Sequence, residues 1–170
     1  MAEIRIEPFN KAKHDRSSFS CGQPSLDAFL RTLVTQYEKR RLGRTFVAAG
    51  PDGRVLGYFT LASSAIAFEN LPPDESQKLP KHPVPTILLG RLAVDRTQQG
   101  QGLGETLLMS ALAKSLDLAE TLGVYAIEVQ AIDRAAARFY AKYGFVPLLN
   151  QPLHLYLPLA TAAFLPRHPC

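Results

Sequence analysis

Residues 86–112 read TILLGRLAVDRTQQGQGLGETLLMSAL, and this stretch decides the fold. Its first part, as far as Val94, is largely apolar and predicts a strand in the centre of a sheet. From about Glu105 onward, leucine and alanine fall on one stripe of a long helix, which we expect to reach Leu122 and to end at Gly123. The stretch therefore predicts a strand, a glycine-rich loop and a helix in direct succession.

The loop between this strand and this helix contains Gly100, Gly102 and Gly104. Glycine allows positive φ and a close approach of the backbone to a ligand. The helix that follows offers unpaired N–H groups and the positive end of its dipole, which suit a phosphate or pyrophosphate. The loop is therefore a candidate anion site.

Two common phosphate-binding patterns do not fit this loop. A P-loop requires Gly-Lys-Ser/Thr after its glycines, and the chain has none here. A dinucleotide-binding fingerprint requires its third glycine where Glu105 stands, and an acid at that place would repel the phosphates. The pattern that remains is Gln-x-x-Gly-x-Gly at residues 99–104. Taken alone, it fits either a pyrophosphate site or a structural turn.

The rest of the chain predicts further strands and helices on both sides of this stretch. Apolar positions at helical spacing follow Pro24, with Arg40 and Arg41 in the last turn and Gly43 as the terminator. We predict strands at residues 4–7, 45–49, 55–67, 125–130, 145–147 and 153–157, and a second long helix from Asp133 to Tyr143. The tail after Pro158 has no clear assignment. We see no repeat and no linker, so residues 1–170 are expected to form a single α/β domain.

Charge is distributed unevenly along the 170 residues. The net charge is +4, and residues 1–50 carry all of it, with nine Lys/Arg against five Asp/Glu. Such a region is either a solvated face or a site for an anionic partner such as RNA. Cys21 and Cys170 do not form a disulfide scaffold, and neither the cysteines nor the scattered histidines suggest a metal site. No apolar run is long enough for a membrane helix and no signal peptide is apparent, so we expect a cytoplasmic protein with no membrane contact.

A second motif, RFYAKYGF at residues 138–145, bears on whether the glycine loop is a pyrophosphate site or only a structural turn. Strand, Gln-x-x-Gly-x-Gly, helix, strand and Phe-Tyr-x-Lys-x-Gly-Phe occur in this order over residues 86–146. In this the chain resembles the GNAT superfamily of acetyl-CoA-dependent N-acetyltransferases. The resemblance implies the GNAT fold, a central mixed and mostly antiparallel sheet of about six to seven strands flanked by about four helices.

The N-terminal part narrows the resemblance to one branch of that superfamily. The segments FSCG (residues 19–22), RTFV (residues 44–47) and LGRLAVD (residues 89–95) are similar to the signature of the toxins in bacterial toxin–antitoxin pairs. This resemblance covers about residues 4–157. It implies a toxin that acetylates the α-amine of aminoacyl-tRNA, stops translation, and is neutralised by a ribbon-helix-helix antitoxin. The resembling toxins are commonly homodimers.

The resemblance also implies roles for individual residues. Tyr140 is expected to be the catalytic residue that protonates the departing CoA thiolate, since a tyrosine hydroxyl can act as a general acid. Leu92 and Val94 should offer backbone groups to the pantetheine arm. Asp133 is expected either to contact CoA or only to cap its own helix. The full set expected to bind acetyl-CoA is Leu92, Ala93, Val94, Gln99, Gly100, Gly102, Leu103, Gly104, Glu105 and Asp133.

The sequence indicates the acetyl acceptor less clearly than it indicates the cofactor. No acid beside a recognised motif stands out as a general base, which favours an α-amine over a lysine, because an α-amine with a pKa of about 7.7–8.0 is partly neutral at pH 7. For tRNA we expect contacts from Lys39, Arg40, Arg41, Arg44 and Arg91, although Arg40 and Arg41 also suit a helix C-terminus. Two alternatives stay open, a GNAT enzyme that acetylates a small amine or a protein N-terminus, and a CoA-binding module without activity.

Overall fold

The computed structural model describes residues 3–165, and a seven-stranded sheet is its main feature. The strands are β1 (Arg5–Pro8), β2 (Arg44–Ala49), β3 (Val55–Ile66), β4 (Val84–Val94), β5 (Ala126–Gln130), β6 (Val146–Leu148) and β7 (Gln151–Pro158). The α-helices are α1 (Pro24–Ala28), α2 (Val34–Lys39), α3 (Pro73–Ser76), α4 (Leu103–Leu118), α5 (Arg134–Ala141) and α6 (Leu159–Ala162). A π-helical turn (Phe29–Leu33) joins α1 to α2, and 3₁₀ turns occupy Phe68–Asn70 and Arg96–Gln98.

The strand order is β1-β2-β3-β4-β5-β7-β6. β1 with β2, β2 with β3, β5 with β7, and β6 with β7 pair antiparallel, whereas β4 and β5 pair parallel. The expected fold class, a mixed and mostly antiparallel sheet with flanking helices, is confirmed. β4 is central, as its apolar sequence predicts, because a strand covered on both faces contains few polar residues.

The described residues group into two units. Strands β3 and β4 and helix α4 each have residues in both units. The first unit contains residues 3–62 and 90–111. Its core is built from aromatic and branched side chains of α1, the π-helical turn, α2 and the strands, and Tyr58 is fully buried in it. The hydroxyl of Tyr58 donates to the carbonyl of Leu26 at 2.7 Å, so the polar end of this buried ring is satisfied.

The second unit contains residues 63–89 and 112–165. One face of its strands buries Ala126 and Tyr156 against Ile66, Leu71 and Val84. The other face carries Ile127 and Leu157, and α5 packs against β7 there: a Cβ on Gly144, just after α5, would lie 3.5 Å from Leu157 Cδ1. Successive residues of a strand point to opposite faces, so Glu128 lies on the face away from α5.

The helix after Pro24 differs from its prediction at two places. The π-helical turn interrupts it, and Leu33, which regular helical spacing places on the apolar stripe, is 39% exposed. The helix also ends at Lys39 rather than near Gly43. Arg41 takes the left-handed conformation (φ 58°), the N–H of Leu42 bonds the carbonyl of Tyr37 at 3.0 Å, and a Schellman motif results.

Helix α4 also ends earlier than periodicity predicts. It stops at Leu118, and residues 119–122 form turns in which Leu122 is 57% exposed. The apolar spacing continues through Leu122, but its side chain is mostly exposed, so burial gives the helix little reason to continue. After Pro158, α6 accounts for part of the tail that the sequence left unassigned, while His168 and Cys170 lie outside the described residues.

None of the helices in residues 3–165 is both long enough and apolar enough to cross a membrane.

Candidate active site

The glycine loop of the first unit connects the end of β4 to α4. Gly100 and Gly102 have φ values of 78° and 86°, which residues with a Cβ rarely adopt. A Cβ on either glycine would meet no atom within 4 Å, so conformation rather than lack of space requires glycine here. The backbone is exposed at both positions and α4 begins directly at Leu103. Open backbone next to a helix N-terminus fits a pyrophosphate group.

Gln99 holds this loop in place with its side chain. Its Nε2 donates to the carbonyl oxygens of Cys21 and Val94, each at 2.9 Å. The amide therefore ties the turn at residues 21–22 to the end of β4. The sequence predicts that Gln99 contacts the pyrophosphate; because both N–H groups of its side chain are engaged in these bonds, only its backbone N–H is left as a donor to a ligand.

Asp95 organises the segment before the loop. Its side chain is 2% exposed and accepts hydrogen bonds from the backbone N–H of Ser20 and from both the N–H and the hydroxyl of Thr97. Arg54 lies 3.3 Å from its second oxygen. Burial works to raise the pKa of Asp95, but these hydrogen bonds and the charge of Arg54 outweigh it and lower the pKa. No pattern in the sequence indicates this role of Asp95.

The predicted pantetheine contacts lie on β4. Ala93 is buried, and Leu92 and Val94 are half-buried. Arg91, predicted to contact tRNA, places its guanidinium 3.8 Å from the ring centroid of Phe29 and 5.2 Å from that of Tyr37. This cation–π stacking gives Arg91 a structural partner in the first unit.

The basic residues at the end of α2 remain at the surface. Lys39, Arg40, Arg41 and Arg44 are all exposed. Arg44 forms an ion pair with Glu38 at 2.7 Å, so part of its charge is already balanced. Lys39, Arg40 and Arg41 have no such acidic partner among residues 3–165.

The second unit carries the other two predicted site residues on or beside α5. Asp133 caps the helix, with its carboxylate accepting from the N–H of Ala136 at 2.8 Å, so its capping role is confirmed. Tyr140 is 5% exposed, and its ring lies edge-on against Phe139 with centroids 5.3 Å apart. Burial raises the pKa of Tyr140, which keeps its hydroxyl protonated at neutral pH.

One ionisable cluster of the second unit was missed by sequence analysis. Glu128 is 2% exposed, and its two carboxylate oxygens bond the hydroxyl of Thr86 at 2.6 Å and Nε2 of His154 at 2.5 Å. The signal was available: β5 reads AIEVQ, and an acid between apolar neighbours in a buried strand needs a partner. By sequence alone His154 is one of several scattered histidines, and only the pairing of β5 with β7 brings it to Glu128.

Other expectations concern cysteine and metal. Burial raises the pKa of Cys21 to about 11, so its thiol stays protonated at neutral pH. In the described range, residues 3–165, no three His, Cys, Asp or Glu side chains are grouped so that they could hold a metal ion.

Comparison with known proteins places these observations in a family. The profile of the acetyltransferase (GNAT) family matches residues 9–145. The chain is 41% identical over 148 residues to the tRNA-acetylating toxin of Mycobacterium tuberculosis (strain ATCC 25618 / H37Rv), which covers 87% of this chain and 88% of the toxin.

Solved structures agree with this family. AtaT complexed with acetyl-methionyl-tRNAfMet superposes with a TM-score of 0.88 at 31% identity, over 95% of this chain and 98% of that one. A mutant of AtaT bound to acetyl-CoA and to the C-terminus of the antitoxin AtaR gives 0.81 at 29% identity, over 94% and 95% of the two chains.

Proposed function

The chain belongs to the acetyltransferase (GNAT) family, and from this premise we propose that it acetylates the α-amine of aminoacyl-tRNA and acts as a toxin. It is an N-acetyltransferase whose co-substrate is acetyl-CoA. The 41% identity to a tRNA-acetylating toxin, over most of both chains, supports the choice of acceptor. The observation that carries the proposal is the open glycine loop, with two left-handed glycines directly before α4.

The glycine loop supplies the binding half of the proposed reaction. Acetyl-CoA brings the acetyl group as a thioester. The backbone of Gln99, Gly100 and Gly102 and the first turn of α4 hold the pyrophosphate, because unpaired N–H groups and the helix dipole favour an anion. Glu105 lies in that first turn, where its carboxylate opposes a second negative charge, so we assign this binding to backbone rather than to side chains. On β4, Leu92 and Val94 pair with the pantetheine arm through their backbone.

Tyr140 supplies the proton that the leaving group needs. The amine nitrogen attacks the acetyl carbonyl carbon, the C–N bond forms, and the C–S bond breaks with its electron pair going to sulfur. A thiolate of this kind has a conjugate-acid pKa of about 8.5. The Tyr140 hydroxyl carries its proton at neutral pH, and this proton passes to sulfur as sulfur develops charge.

The exposed basic segment Lys39–Arg44 suits a polyanionic acceptor. Its side chains extend from the end of α2 into solvent, where they can reach phosphates. A polyamine gains nothing from a positive segment, and a peptide N-terminus has little need of one. This charge favours tRNA over the small amine or protein N-terminus that the sequence leaves open.

Partners follow from the same proposal. AtaT, which resembles this chain, is bound to the C-terminus of the antitoxin AtaR. We propose an antitoxin for this chain as well, of the ribbon-helix-helix type, and a homodimer as the active form. Because charged tRNA is its substrate, we place the protein in the cytoplasm.

The experiment is transfer of labelled acetyl from acetyl-CoA to separate pools of charged tRNA, peptides and polyamines. We expect label in charged tRNA, lost by roughly 10²–10⁴-fold in Tyr140→Phe, the usual contribution of a general acid. Tyr143→Phe is the matched control on the same stretch of chain, and it should retain activity and acetyl-CoA binding. Label confined to peptides or polyamines would refute the tRNA acceptor, and equal activity of the two variants would refute the role of Tyr140.

A further inference from the structure

A turn at residues 19–22, the FSCG segment of the N-terminal signature, has no role in the proposed function. Phe19, Ser20 and Cys21 belong to no helix or strand, so no ladder pairs their backbone groups. Each backbone N–H and C=O of these three residues nevertheless has a hydrogen-bond partner within the first unit. The N–H of Phe19 bonds the carbonyl of Arg16 at 3.3 Å, and the other partners come from two sides of the turn.

The helical side of the first unit holds the turn through two side chains. Arg31 donates from Nε and Nη2 to the carbonyl of Phe19, at 3.1 and 2.6 Å. Asp27, which is 8% exposed, accepts from the N–H of Cys21 at 2.8 Å. Its other carboxylate oxygen lies 3.7 Å from Nη2 of Arg31, so the two opposite charges face one another.

The remaining partners belong to the segment that leads into the glycine loop. The N–H of Ser20 donates to Asp95 at 2.9 Å, and the carbonyl of Ser20 accepts from the N–H of Arg96 at 2.8 Å. The carbonyl of Cys21 accepts from Nε2 of Gln99 at 2.9 Å. Three hydrogen bonds therefore join the turn to this segment, the last of them at the first residue of the loop.

The glycine loop depends on its two ends for a fixed conformation. A Cβ on Gly100 or Gly102 would meet no atom within 4 Å, so there is open space beside both residues. Glycine also has more conformational freedom to lose than any other residue. Helix α4 fixes the loop from Leu103 onward, and the turn fixes it at Gln99.

The charges of Asp27 and Asp95 indicate that these residues serve the turn rather than the ligand. By charge alone, two carboxylates in the unit that holds a pyrophosphate would weaken its binding. Both accept a backbone N–H of the turn instead, and a buried N–H without a partner is costly. The two acids are therefore explained by the conformation that they impose on the turn.

We propose that Asp27 and Arg31 are positioning residues for acetyl-CoA, which act on the glycine loop through the turn at residues 19–22. The inference rests on the proposed function only where the latter assigns the pyrophosphate to this loop. When the turn is released, the loop adopts further conformations, and the apparent Kd rises as the fraction of molecules in the binding conformation falls. Bound acetyl-CoA selects that conformation again, so the transfer step itself keeps its rate.

Calorimetry of acetyl-CoA binding to Asp27→Ala and Asp27→Asn tests the proposal. We expect Asp27→Ala to bind roughly tenfold more weakly, the effect of one lost hydrogen bond to a charged group. Asp27→Asn keeps an oxygen that accepts the N–H of Cys21, so its affinity should stay close to that of the wild type. A direct effect of charge on the pyrophosphate has the opposite sign, because loss of an acid would strengthen binding in both variants.

Arg31→Lys is a second variant at a more accessible position, since the side chain of Arg31 is 43% exposed. Lysine keeps the positive charge but lacks the planar fork that donates two bonds to the carbonyl of Phe19. We expect weaker binding of acetyl-CoA, whereas an effect of charge alone predicts none. Unchanged affinity would contradict the positioning role of Arg31.

Two measurements separate positioning from folding. With charged tRNA as the acceptor, Asp27→Ala should raise the KM for acetyl-CoA and leave kcat unchanged, whereas a partly unfolded protein would lose kcat at an unchanged KM. Tyr58→Phe is the matched control, because it removes a buried hydrogen bond to Leu26 of α1 but no partner of the turn. It should lower the free energy of unfolding and keep the affinity for acetyl-CoA.

A double variant tests whether Asp27 acts through the turn. Gln99→Ala removes the bond between turn and loop from the other side, so Asp27→Ala should cost less affinity in that background than in the wild type. Losses that multiply, unchanged or stronger binding in Asp27→Ala, or an equal weakening in Tyr58→Phe would overturn the proposal. Because these affinities need no acceptor, protein that binds acetyl-CoA but labels no charged tRNA would refute the proposed acceptor alone.

Discussion

Replacement of Arg41 by glycine separates the folding role of this residue from its proposed contact with tRNA. Arg41 occupies the left-handed position that ends α2, where its φ is 58°. For a residue with a Cβ this conformation costs about 1–2 kcal/mol. Glycine removes the cost, but it also loosens the unfolded chain by about 0.4–1 kcal/mol. The difference predicts that Arg41→Gly stabilises the protein by about 0.5–1 kcal/mol.

Arg41→Ala is the partner variant, because it removes the same charge but keeps the Cβ. Urea unfolding should give a higher free energy of unfolding for Arg41→Gly than for Arg41→Ala. In thermal unfolding the glycine variant should gain about 1–4 °C, since about 1 kcal/mol corresponds to about 2–4 °C in a chain of this size. Arg41 is exposed, so no buried contact is lost in either variant.

Binding of charged tRNA supplies the second half of the test. Both variants should bind more weakly, and the slope of log K against log salt should fall by about 0.7–0.9, the change expected for one lost phosphate contact. A glycine variant less stable than the alanine variant would refute the strain argument. Unchanged affinity and salt slope in both would refute the tRNA contact and leave the strain argument intact.

Two other predictions concern stability. Gly53→Ala should lower the free energy of unfolding by at least about 2 kcal/mol, because φ is +83° and the new Cβ would lie 2.6 Å from the carbonyl oxygen of Lys13. Gly123→Ala, with no atom within 4 Å, should stay within about 0.5 kcal/mol, and similar unfolding curves for the two would contradict the geometry. Asp95 has a folded pKa below its usual 3.8, so its contribution is present above that pH and is lost as the pH falls through the folded value. Urea unfolding from pH 5 downward should therefore show a steeper loss for the wild type than for Asp95→Asn; parallel curves would exclude this role.

The fold was predictable where local chemistry and tertiary packing agree. β4 and the start of α4 follow from an apolar run and from glycines that must precede a helix, and both lie where the sequence predicts them. The end of α4 does not lie where the sequence predicts it. The apolar spacing continues past Leu118, but the side chains there are largely exposed. Periodicity predicts which residues can be buried, whereas the neighbouring elements determine which of them are.

The candidate site was likewise predictable only in part: local motifs could be recognised, whereas contacts between distant residues could not. Motifs predict roles for Tyr140 and the glycine loop, because each motif lies within a few consecutive residues. The bond between Glu128 and His154 spans 26 positions and depends on the pairing of β5 with β7, which no local pattern reveals. The hydrogen bonds from the Gln99 side chain to Cys21 and Val94 could not be predicted from the motif either. The sequence predicts that Gln99 binds a ligand, whereas its side chain fixes the loop.

The π-helical turn Phe29–Leu33 has a consequence for how this chain is aligned with others. A π turn contains about one residue more than the α-helical turn it replaces, and each residue turns an α-helix by about 100°. Deleting one residue there would restore a regular helix and keep Phe29 and Leu30 facing the core. Because the wider turn absorbs the extra residue, the side chains beyond the deletion would also keep nearly the same angular positions, and the basic end of α2 would point in the same direction. A single gap in an alignment at this turn is therefore compatible with relatives that lack the π turn and still present those cations in the same direction.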